Sequence, residues 1–297
     1  MANVTVNGVA LVTGGAAGIG EETGFAFAQA GALGVIFADL NLEGAKASAE
    51  KSKEFATNPQ YRALAVGVNT TEPESVQAMV DFTIKEFGRI DYFVNSAGVG
   101  ATSLAPTSDI DIDNFDKTLA VNARGTMLCL KAVTKAMIAQ EPRKVKGRHG
   151  DERSLGRGCI VNLGSGLSYA AGPGMMAYVA SKHAVMGITK VAALDNAKHE
   201  IRVNALCPSW VKTPMLERSL GRWAGLEKVI QAVSPAKRAA TPEEVANVAV
   251  FLCSPSATYV NGTGLLIDAG MMNLPSNMNT RPNLDTKVLH PDLKNDR

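Results

Sequence analysis

Three side chains in the carboxyl-terminal half of the chain are spaced to handle a proton. Ser165 stands thirteen residues before Tyr178, and Lys182 stands four after it in Tyr178-Val179-Ala180-Ser181-Lys182. On a helix, residues four apart share a face, so an ammonium at 182 sits beside the phenol at 178 and favours its ionised form. A free phenol titrates near pH ~10, and a neighbouring cation makes it a usable acid or base closer to neutrality. Ser165 is placed to orient and polarise a substrate oxygen through a hydrogen bond. The same spacing also occurs on ordinary surface helices, so its meaning depends on the elements that position it.

Those elements begin near the start of the chain. Val9-Ala10-Leu11-Val12-Thr13 is a short apolar run of strand type that enters Gly14-Gly15-Ala16-Ala17-Gly18-Ile19-Gly20 and then a helical stretch, Glu21 to Ala30. Glycine lets the backbone turn with positive φ and lets a ligand approach without a Cβ in the way. The free N–H groups of the first helical turn attract a pyrophosphate. The bland alternative is a tight strand-to-helix turn that binds nothing. A second strand, Gly34 to Ala38, ends on Asp39, nineteen residues after Gly20. A carboxylate there can accept both ribose hydroxyls of an adenosine and repels a 2′-phosphate. Neither Ala17 nor Leu40 offers a positive charge to hold one, so the expected cofactor is NAD rather than NADP.

In this order the elements resemble the short-chain dehydrogenase/reductase family over about residues 8 to 270. The resemblance implies a doubly wound α/β Rossmann fold, with a central parallel sheet flanked by helices on both faces. Asn95-Ser96-Ala97-Gly98 is similar to the family's segment beside the cofactor, with Ser96 a departure. Asn122 is placed like the helix asparagine whose backbone holds a water linking the lysine to solvent. Ile160 to Ser165 resembles the strand that carries the catalytic serine, with Gly164 replacing the first serine of the usual pair. Asn204 to Thr213 resembles the segment that covers the nicotinamide; Pro208-Ser209 stands where Pro-Gly is common, and Val211 and Thr213 fit the carboxamide contacts. Asn69, followed by Thr70, falls where an aspartate usually lies near the adenine.

The family's roles then map onto Ser165, Tyr178, Lys182 and Asn122 as the catalytic set. Gly14, Gly18, Ile19, Gly20, Asp39, Leu40, Asn69, Thr70, Asn95, Ala97, Gly98, Tyr178, Lys182, Pro208, Val211 and Thr213 would surround the dinucleotide. Tyr178, ionised through Lys182 and the positive nicotinamide, would take a hydroxyl proton as hydride leaves the alcohol carbon. Lys182 would also hold the nicotinamide ribose. The reverse direction reduces a ketone with the same groups. Two rival readings stay open: a protein that senses NAD without turnover, and elimination or epimerisation by the same serine and tyrosine.

Composition bounds this picture. The chain of 297 residues is 46% hydrophobic, enough for one large core, and strands alternate with helices without a dividing linker. One domain is expected over residues 1–273, with a polar tail at 274–297. The formal charge of +2 is too small to argue for nucleic acid or a membrane surface, and no apolar run is long enough to span a bilayer. Met1 to Asn7 does not read as a secretory leader, and Cys129, Cys159, Cys207 and Cys253 lack metal-ligand spacing. A reducing cytoplasm fits these features, and the cysteines read as small buried apolar residues.

Three further expectations concern what surrounds the site. Glu141 to Arg153, crowded with charge, reads as a long surface loop. The stretch from about 213 to 236 reads as a lid, with Met215, Leu216, Leu220, Trp223 and Leu226 either facing the nicotinamide or packing a small helix. With Tyr169, Trp210 and the pair Met175-Met176 it suggests an apolar or carbocyclic alcohol or ketone. Helices around 116–135 and 178–196 resemble the pairing surfaces of homodimers or homotetramers.

Overall fold

The computed structural model describes residues 6–147 and 149–273. The tail expected at 274–297 lies outside the described residues. Among them the chain runs β1 (Val9–Thr13), α1 (Gly18–Gln29), β2 (Gly34–Asp39), α2 (Leu42–Ser52), β3 (Arg62–Gly67), α3 (Pro73–Phe87) and β4 (Tyr92–Asn95). It continues with α4 (Ile112–Leu119), α5 (Thr126–Ile138), β5 (Arg143–Lys146), β6 (Glu152–Gly156), β7 (Gly158–Leu163), α6 (Met176–Ala197) and β8 (Ile201–Pro208). The last elements are α7 (Pro214–Arg222), α8 (Leu226–Val233), α9 (Pro242–Cys253) and β9 (Gly264–Ile267).

Seven strands form one parallel sheet in the order β3-β2-β1-β4-β7-β8-β9. Side chains alternate across a strand, and both faces of this sheet are covered. In β1, Ala10 and Val12 join one buried cluster while Val9 and Leu11 join the other. In β2, Val35 and Phe37 go one way, Ile36 and Ala38 the other. That is why these strands read as unbroken apolar runs rather than alternating ones. Strand order reverses between β1 and β4, and a sheet of this kind opens its ligand crevice there, at the carboxyl ends of the strands.

A row of polar groups crosses the middle of this apolar sheet. The Thr13 hydroxyl donates to Asn95 Oδ1 at 3.1 Å, Asn95 Nδ2 reaches Asn162 Oδ1 at 3.4 Å, and Asn162 Nδ2 donates to the Thr189 hydroxyl at 3.0 Å. Thr13, Asn95 and Asn162 are register partners on β1, β4 and β7, so each buried amide meets another polar group, as burial requires.

The segment expected to be a surface loop is an antiparallel hairpin, β5 with β6. Arg143 and Val145 are partly buried while Lys144 and Lys146 are exposed. This is strand alternation, hidden in the sequence because the stem of an arginine can serve as an inward residue. Arg143 anchors the hairpin by donating to the Tyr92 hydroxyl at 2.8 Å.

Candidate active site

The glycine loop is shaped by what it excludes. Gly14 and Gly18 have φ of +70° and +62°, where other residues are strained. A Cβ on Gly20 would run into the Gly14 carbonyl, and one on Gly18 would lie 3.1 Å from Thr213 Cγ2. The loop is therefore a backbone cradle, closed on one side by the residue that caps α7. Asp39 braces it: Oδ2 accepts from the Ala16 N–H at 3.0 Å and Oδ1 from the Asn41 N–H at 2.9 Å. Each carboxylate oxygen keeps a lone pair for a further donor. Leu40 is exposed. The cradle and the carboxylate fit an adenosine pyrophosphate.

Beyond β4, the loop carrying Ala97 and Gly98 is pinned from two directions. Ala97 N–H donates to the Thr13 hydroxyl at 3.2 Å. Asn122, almost fully buried, clasps Val99 through both its backbone groups, accepting at 2.8 Å and donating at 2.9 Å. Its Nδ2 also reaches Ser181 Oγ at 3.1 Å, and Ser181 in turn donates to the Tyr178 carbonyl at 2.7 Å. The helix expected around 116–135 is broken here: Ala120–Gly125 is a π-turn between α4 and α5, a feature frequent at functional sites. Inside that turn the Asn122 carbonyl accepts from the Thr126 hydroxyl at 2.7 Å.

Ser165 follows β7 and caps a single turn. Its Oγ accepts from the Leu167 N–H at 3.1 Å, which leaves the hydroxyl proton free to be donated outward. Ser168 bolts this turn to α6, accepting from Ser165 N–H at 3.1 Å and donating to the Lys182 carbonyl at 2.8 Å. Tyr178 and Lys182 lie on the facing side of α6, with the Lys182 ammonium 5.6 Å from the centre of the Tyr178 ring. The lysine is tethered to β7, donating to the Leu163 carbonyl at 2.8 Å.

The electrostatics differ from what the sequence spacing suggests. Burial pushes the Tyr178 phenol up, with a hydrogen bond to Ser165 pulling the other way. Burial also lowers the Lys182 ammonium to about 8. Because the lysine sits against the ring face and holds a carbonyl, within the protein alone it does not offset the desolvation of the phenol.

Not every expected residue meets the site. The Tyr169 hydroxyl donates to the Gly264 carbonyl at 3.0 Å, at the β9 edge of the sheet. Trp210 packs with Leu216, Trp223, Leu226 and Ile230 in a satellite core beneath α7 and α8, so most of the apolar lid residues pack the lid itself. Leu220 is exposed. Met215 does face inward, its sulfur 3.1 Å from where a Cβ of Gly100 would stand. Asn69 is a turn residue: its Oδ1 accepts from the Thr71 N–H and hydroxyl and its Nδ2 donates to Glu72. Adenine would have to displace those bonds. Thr70 is buried beneath Gly125. Pro208 and Val211 are buried where β8 leads into α7.

Beside Tyr178 lies a cleft of about 340 Å³, walled by Met175, Met176, Ala101, Ile110, Asn114 and Thr118 among others. Asn114 and Thr118 escaped the sequence reading. The signal was present: they precede Asn122 by eight and four residues, which puts all three on one helical face. Among the described residues no group of three or more His, Cys, Asp or Glu side chains is arranged to hold a metal ion, and no helix is long and apolar enough to cross a membrane.

A doubly wound sheet with a glycine cradle at its switch point and a serine, tyrosine and lysine at the same edge defines a dinucleotide-dependent oxidoreductase. Comparison with known proteins sharpens the class. The profile of the family described as Enoyl-(Acyl carrier protein) reductase matches residues 14–272. The chain is 46% identical over 265 residues to the short-chain dehydrogenase anuF of Penicillium roqueforti, covering 89% of this chain and 96% of that one. It is 36% identical over 260 residues to a 2,5-dichloro-2,5-cyclohexadiene-1,4-diol dehydrogenase of Sphingobium indicum, covering 88% and 95%. The crystal structure of a levodione reductase superposes with a TM-score of 0.81 at 33% identity, covering 91% of this chain and all of that one. The chain belongs to the short-chain dehydrogenase/reductase family.

Proposed function

We propose that the protein interconverts a secondary alcohol and a ketone on an apolar or carbocyclic small molecule, using NAD. The observation that carries this is the grouping of Ser165, Tyr178 and Lys182: the serine hydroxyl bonds the phenol, the buried ammonium lies 5.6 Å from the centre of its ring, and Tyr178 lines the cleft beside them. Gly14, Gly18, Ile19 and Gly20 would hold the pyrophosphate, and Asp39 the adenosine ribose. Pro208, Val211 and Thr213 would line the nicotinamide end, across from Asn95, Ala97 and Gly98. The dinucleotide, when bound, supplies the hydride acceptor or donor. Ser165 donates to the substrate oxygen, and the Tyr178 Oη takes that oxygen's proton in oxidation and returns it in reduction. Lys182 contributes the positive charge that a phenolate needs. Asn122 fixes the loop facing Tyr178 and offers its carbonyl for a relay to solvent.

Apolar walls at Met175, Met176, Ala101 and Ile110, with polar groups at Ser103, Asn114, Thr118 and Tyr178 and a carboxylate at Asp111 that would repel a phosphate, favour a ring or hydrocarbon over a phosphorylated sugar. The ring diol named for the Sphingobium relative supports the same class. We read residues 1–273 as one domain, since every strand outside the hairpin joins one sheet. On α6, Val191 and Leu194 are 58% and 78% exposed, which supports pairing of two copies along that helix. A purely monomeric species in sedimentation at micromolar concentration would remove that part of the reading.

The test is a screen of cyclic alcohols and ketones for change in NADH absorbance, repeated with Tyr178→Phe. Turnover by the native protein should fall by about 10²–10⁴ in the variant while NAD binding persists. Undiminished turnover in the variant would overturn the mechanism.

A further inference from the structure

A second cavity, about 310 Å³, opens at the opposite end of the strands from the cleft beside Tyr178. It is walled by Tyr92, Arg143 and Leu155 on one side and by Cys159, Arg202 and Cys253 on the other. Cys159 is the second residue of β7 and Cys253 the last of α9, and both side chains are buried. Cys159 and Arg202 converge on the carbonyl of the residue before Cys253. The Cys159 thiol donates to the Leu252 oxygen at 3.3 Å, and the Arg202 guanidinium donates to that same oxygen at 2.7 Å. Cys253, the next residue, lines the same cavity as Cys159.

Arg202 is held with a donor to spare. Its Nη1 and Nη2 reach the carbonyls of Val260 and Leu252, while its buried Nε has no hydrogen-bond partner among the described residues. A buried N–H without an acceptor is costly. The sulfur of Cys159, which shares the Leu252 carbonyl and the cavity wall with this guanidinium, becomes a strong acceptor only when it loses its proton.

We propose that Cys159 and Cys253 form a redox pair that a hydroperoxide closes into a disulfide joining β7 to the end of α9. Cys159 attacks one oxygen of the peroxide; its S–H proton goes to the departing oxygen, giving a sulfenic acid and water or an alcohol. The Cys253 sulfur then attacks the sulfenic sulfur and expels water, forming the S–S bond. Two thiols are oxidised by two electrons and the peroxide is reduced.

The surroundings agree with this order of attack. The neighbouring Cys253 thiol, and behind it the Arg202 charge, pull the Cys159 thiol down, whereas burial pushes Cys253 up. Cys129, buried among apolar side chains, is pushed up to about 12. The protein thus carries its own unreactive control. None of these groups belongs to the alcohol and ketone chemistry, since Ser165 lies beyond the other end of β7.

The experiment is oxidation of the full-length native protein at neutral pH with a few equivalents of hydrogen peroxide, followed by alkylation and peptide mass spectrometry. A Cys159–Cys253 disulfide is expected, with Cys129 remaining a free thiol. In Cys253→Ser the dimedone adduct of a sulfenic acid should appear on Cys159. Arg202→Gln, scored only if its melting curve shows a folded protein, should slow oxidation of Cys159 by roughly tenfold. Oxidation of Cys159 no faster than of Cys129, or oxidation of Cys159 without disulfide formation in the native sequence, would overturn the proposal.

Discussion

The two sides of the proposed active-site crevice are built from different materials. On the β1 side the walls are backbone: glycines at 14, 18 and 20, free N–H groups at the start of α1, and one carboxylate braced by two more N–H groups. On the α6 side the walls are side chains carried by helices and by a lid with its own small core. A wall of backbone leaves no room for a Cβ and recognises what is common to every dinucleotide. A wall of side chains can change its lining while Ser165, Tyr178 and Lys182 stay bolted beneath it. The difference lets one fold keep its cofactor while exchanging its substrates.

Substitutions on each side should break or sharpen this contrast. The largest effect belongs to Lys182, whose ammonium is lowered by burial from 10.5 to about 8. Between those values the unfolded chain holds more protons than the folded one, so stability rises with pH across that window. Below pH 8 both states hold the proton and the native state bears the full cost, up to about 3 kcal/mol. Lys182→Met should therefore flatten the slope between pH 8 and 10 in denaturant titrations and be the more stable protein at pH 7. An unchanged slope would show that the lysine is better solvated than its burial indicates.

Gly20→Ala comes next. Its Cβ must displace the Gly14 carbonyl, which should cost about 1–3 kcal/mol of stability and weaken NAD at least about tenfold in calorimetry. Asp39→Ala removes a charged acceptor for ribose hydroxyls, so NAD binding should weaken by about 2 kcal/mol, roughly thirtyfold, with NADP gaining ground. Tight NAD binding by either variant would mean that the β1 wall is not the cradle. Met215→Ala, on the side-chain wall, should shift KM among substrates by only a few fold, less than about 1.4 kcal/mol, and leave NAD affinity alone. A change of equal size in both would erase the distinction between the two sides.

The legibility of the molecule follows the same division. The glycine loop, Asp39 and the Tyr178–Lys182 pair depend on residues within a few positions of one another, and their spacing already carries the geometry. Strand β1 was readable to its ends, Val9 to Thr13, because burial on both faces leaves an unbroken apolar run. Tyr169 was not readable, because its partner, Gly264, lies 95 residues away and no local pattern announces the contact. Trp210 failed for a similar reason, since the satellite core that takes it draws on α7, α8 and Ala239. The β5–β6 hairpin was masked by its charge, and the meeting of Cys159 with Cys253 depends on α9 folding back over β7. Tyr178's raised phenol needed three dimensions, because spacing places a lysine on a face without saying which oxygen it will hold.

The polar row from Thr13 through Asn95 and Asn162 to Thr189 bears on how the sheet is assembled. Parallel strands are joined by long crossovers rather than tight turns, so no local connection fixes which residue of one strand meets which residue of the next. A slip of one position would turn Asn95 and Asn162 toward apolar neighbours, each left without a partner at a cost of about 1–3 kcal/mol. Only one alignment of β1, β4 and β7 satisfies all of them at once. The row serves as an index mark for the sheet, and it sets Ser165 at the end of β7 level with the glycines at the end of β1.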